Sequence, residues 1–491
     1  MMAKDIRKCA KGVGGVSLAL VLVGCLSGVI LMADADEERA GGAAAERFGF
    51  IVRSVGDLNA DGHSDFVVTA PNPGHDKTYI HFGPQTPEPF GDDTPPRLVF
   101  EGPDNSEAGW SVASGFLSGQ GRELVVGAPA ELGSKGAVYL LQVAPPKEAP
   151  IFGETIIGPQ NAYAQFRGET INNEGHYAGW SVEVGDLNDD GHDDLIIGAC
   201  RREGTVYVVH GPIASGVHNL GNAADTVLKG RDSEGLFGCS LSVGDLNGDG
   251  RDDLVVGGFR ERLDPLGVGG YGRVHVFYDV PAGEFSSEEL GNKAVLVGTR
   301  GSSLGYALDA GGDLNGDGVD DLAMGASAYT CHRVHDNNPL ETCVENPLPK
   351  VYVLLGGKNG DALVGEHNVT DKADSTISGA AKNTGFGHAV SIGGDINGDG
   401  RDDLVIGTQD QSLAYLFYGM PNPSAQLAYS SAQGTFDGTA QGLLAGFSVD
   451  IAPDLNGDGL ADVLIGAPAQ EWFGRDVGQD AGRAYVFYGQ E

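Results

Sequence analysis

Short runs of alternating apolar and polar residues recur along the chain. Each leads into a cluster of Asp, Asn and Gly and then into a nearly unbroken apolar run. One copy is GDLNGDGRDDLVVGG, from Gly244 to Gly258. Alternation with period two predicts a half-buried strand, and a short continuous apolar run such as Leu254 to Val256 predicts a fully buried one. A third run has the form GRVHVFY (Gly272 to Tyr278). A more variable fourth follows, as in TVLKG (Thr226 to Gly230) or AVLVG (Ala294 to Gly298). After residue 32 no segment carries the 3.6-residue period of a long amphipathic helix.

The unit repeats. Its acidic cluster opens with an Asp at 57, 186, 245, 313, 395 and 454, and the first interval is about twice the others. The stretch AGWSVASGFLSGQGRELVVGAP from Ala108 fills that gap with the same flanks and a degenerate loop. Four strands in each of seven repeats predict an all-β fold, a seven-bladed β-propeller of four-stranded blades. The blades start near residues 48, 109, 179, 237, 304, 386 and 446. The seventh repeat reaches only its third strand by Gly489, so its outer strand is expected from residues 36–41.

The acidic loops carry the chemistry. Counted from the first Asp, side-chain oxygens fall at positions 1, 3, 5 and 9. The six sets are Asp57, Asn59, Asp61 and Asp65; Asp186, Asn188, Asp190 and Asp194; Asp245, Asn247, Asp249 and Asp253; Asp313, Asn315, Asp317 and Asp321; Asp395, Asn397, Asp399 and Asp403; and Asp454, Asn456, Asp458 and Asp462. Gly250 allows a sharp turn after position 5, and the carbonyl of Arg251 at position 7 adds an oxygen. Several oxygens around one tight turn suit a hard divalent cation, Ca²⁺ above all. The first half of the loop is like an EF-hand loop, but a strand begins at position 9 or 10 and no Glu stands at position 12. About six calcium sites are therefore expected, one per repeat except the second. The second loop, Gly115 to Glu123, has no Asp and is one residue shorter.

The repeats resemble FG-GAP repeats, on Phe48-Gly49, Phe237-Gly238 and Phe386-Gly387 and on Gly127-Ala128-Pro129 and Gly466-Ala467-Pro468. The resemblance covers roughly residues 37–491. It implies a propeller like the head of integrin α subunits, with Ca²⁺ in hairpin loops between the first two strands of blades. This chain carries more such loops than an integrin head, and no leg domains follow the propeller, so the integrin signalling role does not transfer.

Composition sharpens the picture. Charged residues make up 20% and apolar ones 41%, a globular balance. A formal net charge of −37 argues against nucleic acid and anionic membrane surfaces as partners. Residues 1–35 read as a signal peptide or membrane anchor and 36–491 as the propeller. Lys4, Arg7, Lys8 and Lys11 precede an apolar stretch from about Val13 to Met32. Leu22-Val23-Gly24-Cys25 resembles a bacterial lipobox, which implies lipidation of Cys25. Ala33-Asp34-Ala35 fits ordinary cleavage, and the apolar stretch also fits an uncleaved anchor. Each reading exports the chain to the cell surface, outer membrane or periplasm, or secretes it. Cys331 and Cys343 are expected to close a disulfide loop. Cys200 and Cys239 are either bridged or two small buried side chains.

These features point to an exported calcium-binding module for adhesion or binding rather than an enzyme. The contact surface, for a protein or glycan ligand, is expected on the propeller face opposite the loops. Candidate contact segments are Gln142–Tyr177, the Cys331–Cys343 loop and Phe259–Gly272. The chain shows no G-x-S-x-G, H-E-x-x-H or Cys/His cluster. The alternatives are a secreted hydrolase using the funnel, with a site assembled from separate blades, or a structural envelope protein.

Overall fold

The computed structural model describes residues 29–32, 35, 37–40, 47–72, 76–83, 98–143, 155–171, 174–232, 234–262, 271–327, 347–357, 362–382, 384–420, 426–439, 444–468 and 482–490. Each repeat forms one antiparallel sheet whose innermost strand leads through the acidic loop to the second. In the fourth blade these strands are Phe237–Gly244, Asp253–Gly258, Arg273–Phe277 and Lys293–Val297. The second strands are buried at all six positions, as their unbroken apolar runs require.

Seven blades close the ring, and the closing strand comes from the start of the chain. Glu37–Ala40 pairs antiparallel with Arg483–Phe487, Glu37 opposite Val486, and completes blade 7.

One expectation is corrected: six blades have five strands, not four. The chain between the third and fourth strands of one blade runs back along the preceding blade and adds a parallel edge strand. Gly283–Ser286, from blade 4, thus pairs with Thr226–Lys229 of blade 3. Thr155–Ile157, Gly216–Asn219, Gly365–Asn368 and Gln426–Ala428 do the same for blades 1, 2, 4 and 5. Val29–Leu31 serves blade 6, so the sheet reaches N-terminal of the boundary expected at residue 36. Gln142–Tyr177 is consequently no simple surface insertion. It supplies the edge strand of blade 1 and, at Ala164–Arg167, the fourth strand of blade 2.

The hydrophobic core lies between blades. Seven clusters each straddle one pair of neighbours, including the pair 7 and 1 that closes the ring. Glycine sets how closely the blades approach. A Cβ on Gly198 of blade 3 would lie 2.1 Å from the carbonyl oxygen of Gly238 in blade 4, itself at φ +79°. Cys200 and Cys239 form a disulfide across the same junction, with Cα atoms 4.7 Å apart. Cys25, Cys331 and Cys343 lie outside the described residues. No helix among the described residues is long and apolar enough to cross a membrane.

Candidate metal centres

Each intact loop folds around its first carboxylate. Asp245 accepts the N–H of Asp249 on Oδ1 at 3.0 Å and that of Gly250 on Oδ2 at 2.7 Å. Asp57, Asp186, Asp313, Asp395 and Asp454 accept the equivalent pairs at 2.6–3.2 Å. At position 5, Asp61, Asp190, Asp249, Asp317, Asp399 and Asp458 each accept the N–H of position 7 at 2.9–3.2 Å. A run of small and polar residues with Gly at position 6 permits this coil, because Gly250 sits at φ +87°.

Position 9 begins the buried second strand. Asp65, Asp194, Asp253, Asp321, Asp403 and Asp462 are fully buried. Each accepts the N–H of position 2 on Oδ2 at 2.7–3.2 Å. In five blades Oδ1 accepts the N–H of a glycine just beyond the third strand at 2.9–3.0 Å. In blade 4 that glycine's place is taken by Asp279, and Asp253 Oδ1 accepts from Asn247 Nδ2 at 3.1 Å.

Burial pushes all six position-9 carboxyls up, and the carboxylates at positions 1 and 5 add to it, at Asp194 the one at position 5. Asp253 lies highest, at about 8. Among the described residues no group of three or more Asp, Glu, His or Cys side chains stands ready to hold a metal ion. Each carboxylate is instead committed to backbone N–H groups. The donor chemistry still suits a hard cation: the ligands are oxygens, negative charge is concentrated, and Asn247 Oδ1 is buried without a partner. Asn59, Asn188 and Asn456 each turn Oδ1 to the N–H at position 5 at 2.9–3.0 Å. Asn397 directs Nδ2 to Asp403 at 3.4 Å, and Asn315 is half-buried in its loop.

The sequence reading assigned no role to position 8. Asp193, Asp252, Asp320 and Asp402 each accept the backbone N–H of position 1 in the preceding blade: Phe116 at 2.6 Å, Asp186 and Asp245 at 2.9 Å, and Asp313 at 2.8 Å. The Asp-Asp doublets were the signal. The first Asp stitches blades together, and the second ties the loop to its own sheet.

The second loop keeps the scaffold without the acidic set. Glu123 pairs with Gly115 in register, is fully buried, and accepts the N–H of Leu117 at 3.0 Å. The Arg122 guanidinium lies 4.7 Å from the centre of the Phe116 ring.

A family model described as FG-GAP repeat matches residues 54–82, 178–209, 237–277, 304–339, 386–417 and 445–487. Six of the chain's seven blades are FG-GAP repeats. The second blade lies outside these matches, consistent with its altered loop. Among similar proteins, integrin alpha-PS2 of Drosophila melanogaster is 28% identical over 334 residues, 64% of this chain and 22% of the relative. Integrin alpha-5 of Xenopus laevis is 28% identical over 242 residues, 48% of this chain and 20% of the relative. Phosphatidylinositol-glycan-specific phospholipase D of Homo sapiens is 26% identical over 393 residues, 64% of this chain and 46% of the relative. This FG-GAP propeller thus spans about a fifth of the integrin α relatives' length and under half of the phospholipase's.

Proposed function

We propose that this FG-GAP propeller is an exported, calcium-stabilised binding or adhesion module without catalytic activity. Six loops of one spacing, each concentrating three carboxylates and an amide at a blade hairpin, carry the reading. Ca²⁺ would draw the oxygens at positions 1, 3, 5 and 9, which here turn to backbone N–H groups and to one another, onto one centre with the carbonyl at position 7. It would supply the counter-charge that the buried position-9 carboxylates otherwise draw from dipoles alone. Extracellular sites of this kind bind with Kd of roughly 10⁻⁴–10⁻³ M, so each filled loop adds on the order of 1 kcal/mol at calcium several-fold above Kd. The expected result is a melting temperature that falls in EDTA and returns with Ca²⁺ but not with Mg²⁺, measured by scanning calorimetry. An unchanged melting curve in EDTA would sink the reading.

The fold weighs on the N-terminal alternatives. Met32 is 1% exposed in the core between blades 6 and 7, beside the strand Val29–Leu31. Processing before Cys25 keeps both, cleavage after Ala35 removes both, and an uncleaved anchor would have to cross the bilayer without residues 29–32, on fewer than the about 20 residues a span needs. This favours the lipid route, which mass spectrometry of the mature N-terminus tests directly.

A second reading, a hydrolase, is favoured by the relative named as a phospholipase D. Turnover of phosphodiester or ester substrates by the purified chain would select it.

A further inference from the structure

An axial cavity of about 990 Å³ is lined by residues of the innermost strands. It opens on the face opposite the loops, where an aromatic residue follows the first glycine of most repeats. The rings form a belt through the aromatic positions of six blades. Successive centroids are 6.3 Å apart from Tyr177 to Trp180, then 4.7 Å to Trp110, 5.0 Å to Phe50 and 5.1 Å to Phe447. The belt continues 4.8 Å to His388, 5.0 Å to Tyr306 and 5.1 Å to Phe259. Blade 4 breaks it, because Cys239 of the disulfide stands at the aromatic position.

Three residues further along the strands, the lining changes to charge. Arg53 pairs with Glu183 through both guanidinium nitrogens at 2.8 Å and donates to the carbonyl of Val112 at 3.1 Å. That pair is self-neutralising. Asp309 and Asp450 have no such cation to themselves. Asp309 accepts the N–H of Ile392 at 2.8 Å and Asp450 that of Ser54 at 2.7 Å. Burial pushes these carboxyls up to about 6 and about 7, the mark of negative charge short of a counter-charge. At the mouth Glu107 and Arg260 contribute one charge of each sign. The lining therefore carries four carboxyl groups against two guanidinium groups. Gln409 also lines the cavity, is 3% exposed, and its Oε1 is buried without a hydrogen-bond donor.

We propose that this cavity binds a linear aliphatic diamine or polyamine. One ammonium group sits at the level of Asp309 and Asp450, the methylene chain lies against the aromatic belt, and a further ammonium donates to Gln409 Oε1. Ammonium groups are attracted both to carboxylates and to ring faces, and desolvation in a cavity strengthens both. A hard metal ion wants six or more oxygens, which an aromatic wall does not supply. A neutral sugar would stack on the rings but leave both carboxylates uncompensated.

The inference refines the binding-module reading by naming a ligand class. Two of the three tryptophans of the chain, Trp110 and Trp180, stand in the belt, so intrinsic fluorescence reports occupancy. In saturating calcium, titration with putrescine and spermidine should give a saturable change, with one equivalent bound by calorimetry. Butane-1,4-diol and maltose should give none. Asp309→Asn with Asp450→Asn should weaken amine binding at least about tenfold. Should the double variant melt lower than the parent, each single variant should still weaken binding at an unchanged melting temperature. Absence of saturation, equal affinity in the Asn variants, or maltose binding that survives in them would each overturn the proposal. None of these outcomes bears on the calcium-dependent melting that tests the module itself.

Discussion

Asp249 and Asp253 stand four residues apart in one loop and answer to different partners. The carboxylate of Asp249 accepts the N–H of Arg251 and meets its guanidinium at 3.2 Å near solvent. Asp253 is buried and caps the N–H of Leu246. On the proposed calcium reading, alanine at 249 should remove one site and leave the melting temperature in EDTA close to that of the parent. Alanine at 253 should lower it in EDTA as well, through a loss of stability of about 1–3 kcal/mol, because a buried N–H loses its acceptor. Calorimetry of both variants, with and without calcium, separates the two roles. Positions 1, 3, 5 and 9 were legible in the sequence because one spacing recurs six times. That the position-9 carboxylate also ties the loop to its sheet was not, because its donors come from position 2 and from beyond the third strand.

The hairpin of two strands and a loop was the most readable element, since buried second strands have no solvent face to dilute their apolar runs. The edge strands were invisible for the opposite reason. Gly216–Asn219 and Gly365–Asn368 are exposed at most positions, so burial imposes no alternation on them. Contacts between blades were equally silent, because periodicity describes a strand's own faces and not its neighbour. Gly244 shows the cost of such a contact. A Cβ there would lie 1.7 Å from the carbonyl oxygen of Ala310 and 3.1 Å from Asp320 Oδ2. Gly244→Ala should destabilise the protein by about 3 kcal/mol, read from urea unfolding, through displacement of blade 5. Asp320→Ala should cost less, because it frees the single N–H of Asp245 in a half-buried setting.

Across the whole molecule, stability is shared among seven inter-blade cores, and the ring makes each depend on the others. A chain beginning at residue 41 would lose the partner of Arg483–Phe487, the edge strand beside Gly434–Asp437, and Met32 from its core. Its expected behaviour is a lower melting temperature together with concentration-dependent association through the two bared edges, visible by size-exclusion chromatography with light scattering. The pairing of Glu37–Ala40 with Arg483–Phe487 also sets an order of events in time. These partners are separated by nearly the whole chain, so the first of them to leave the ribosome must wait for almost everything else to be made. Neighbouring blades can stack as they emerge, but the latch has nothing to grip until the final repeat arrives. Closure is thus open only to a finished chain: a prematurely ended one remains an open arc with an unfinished seam.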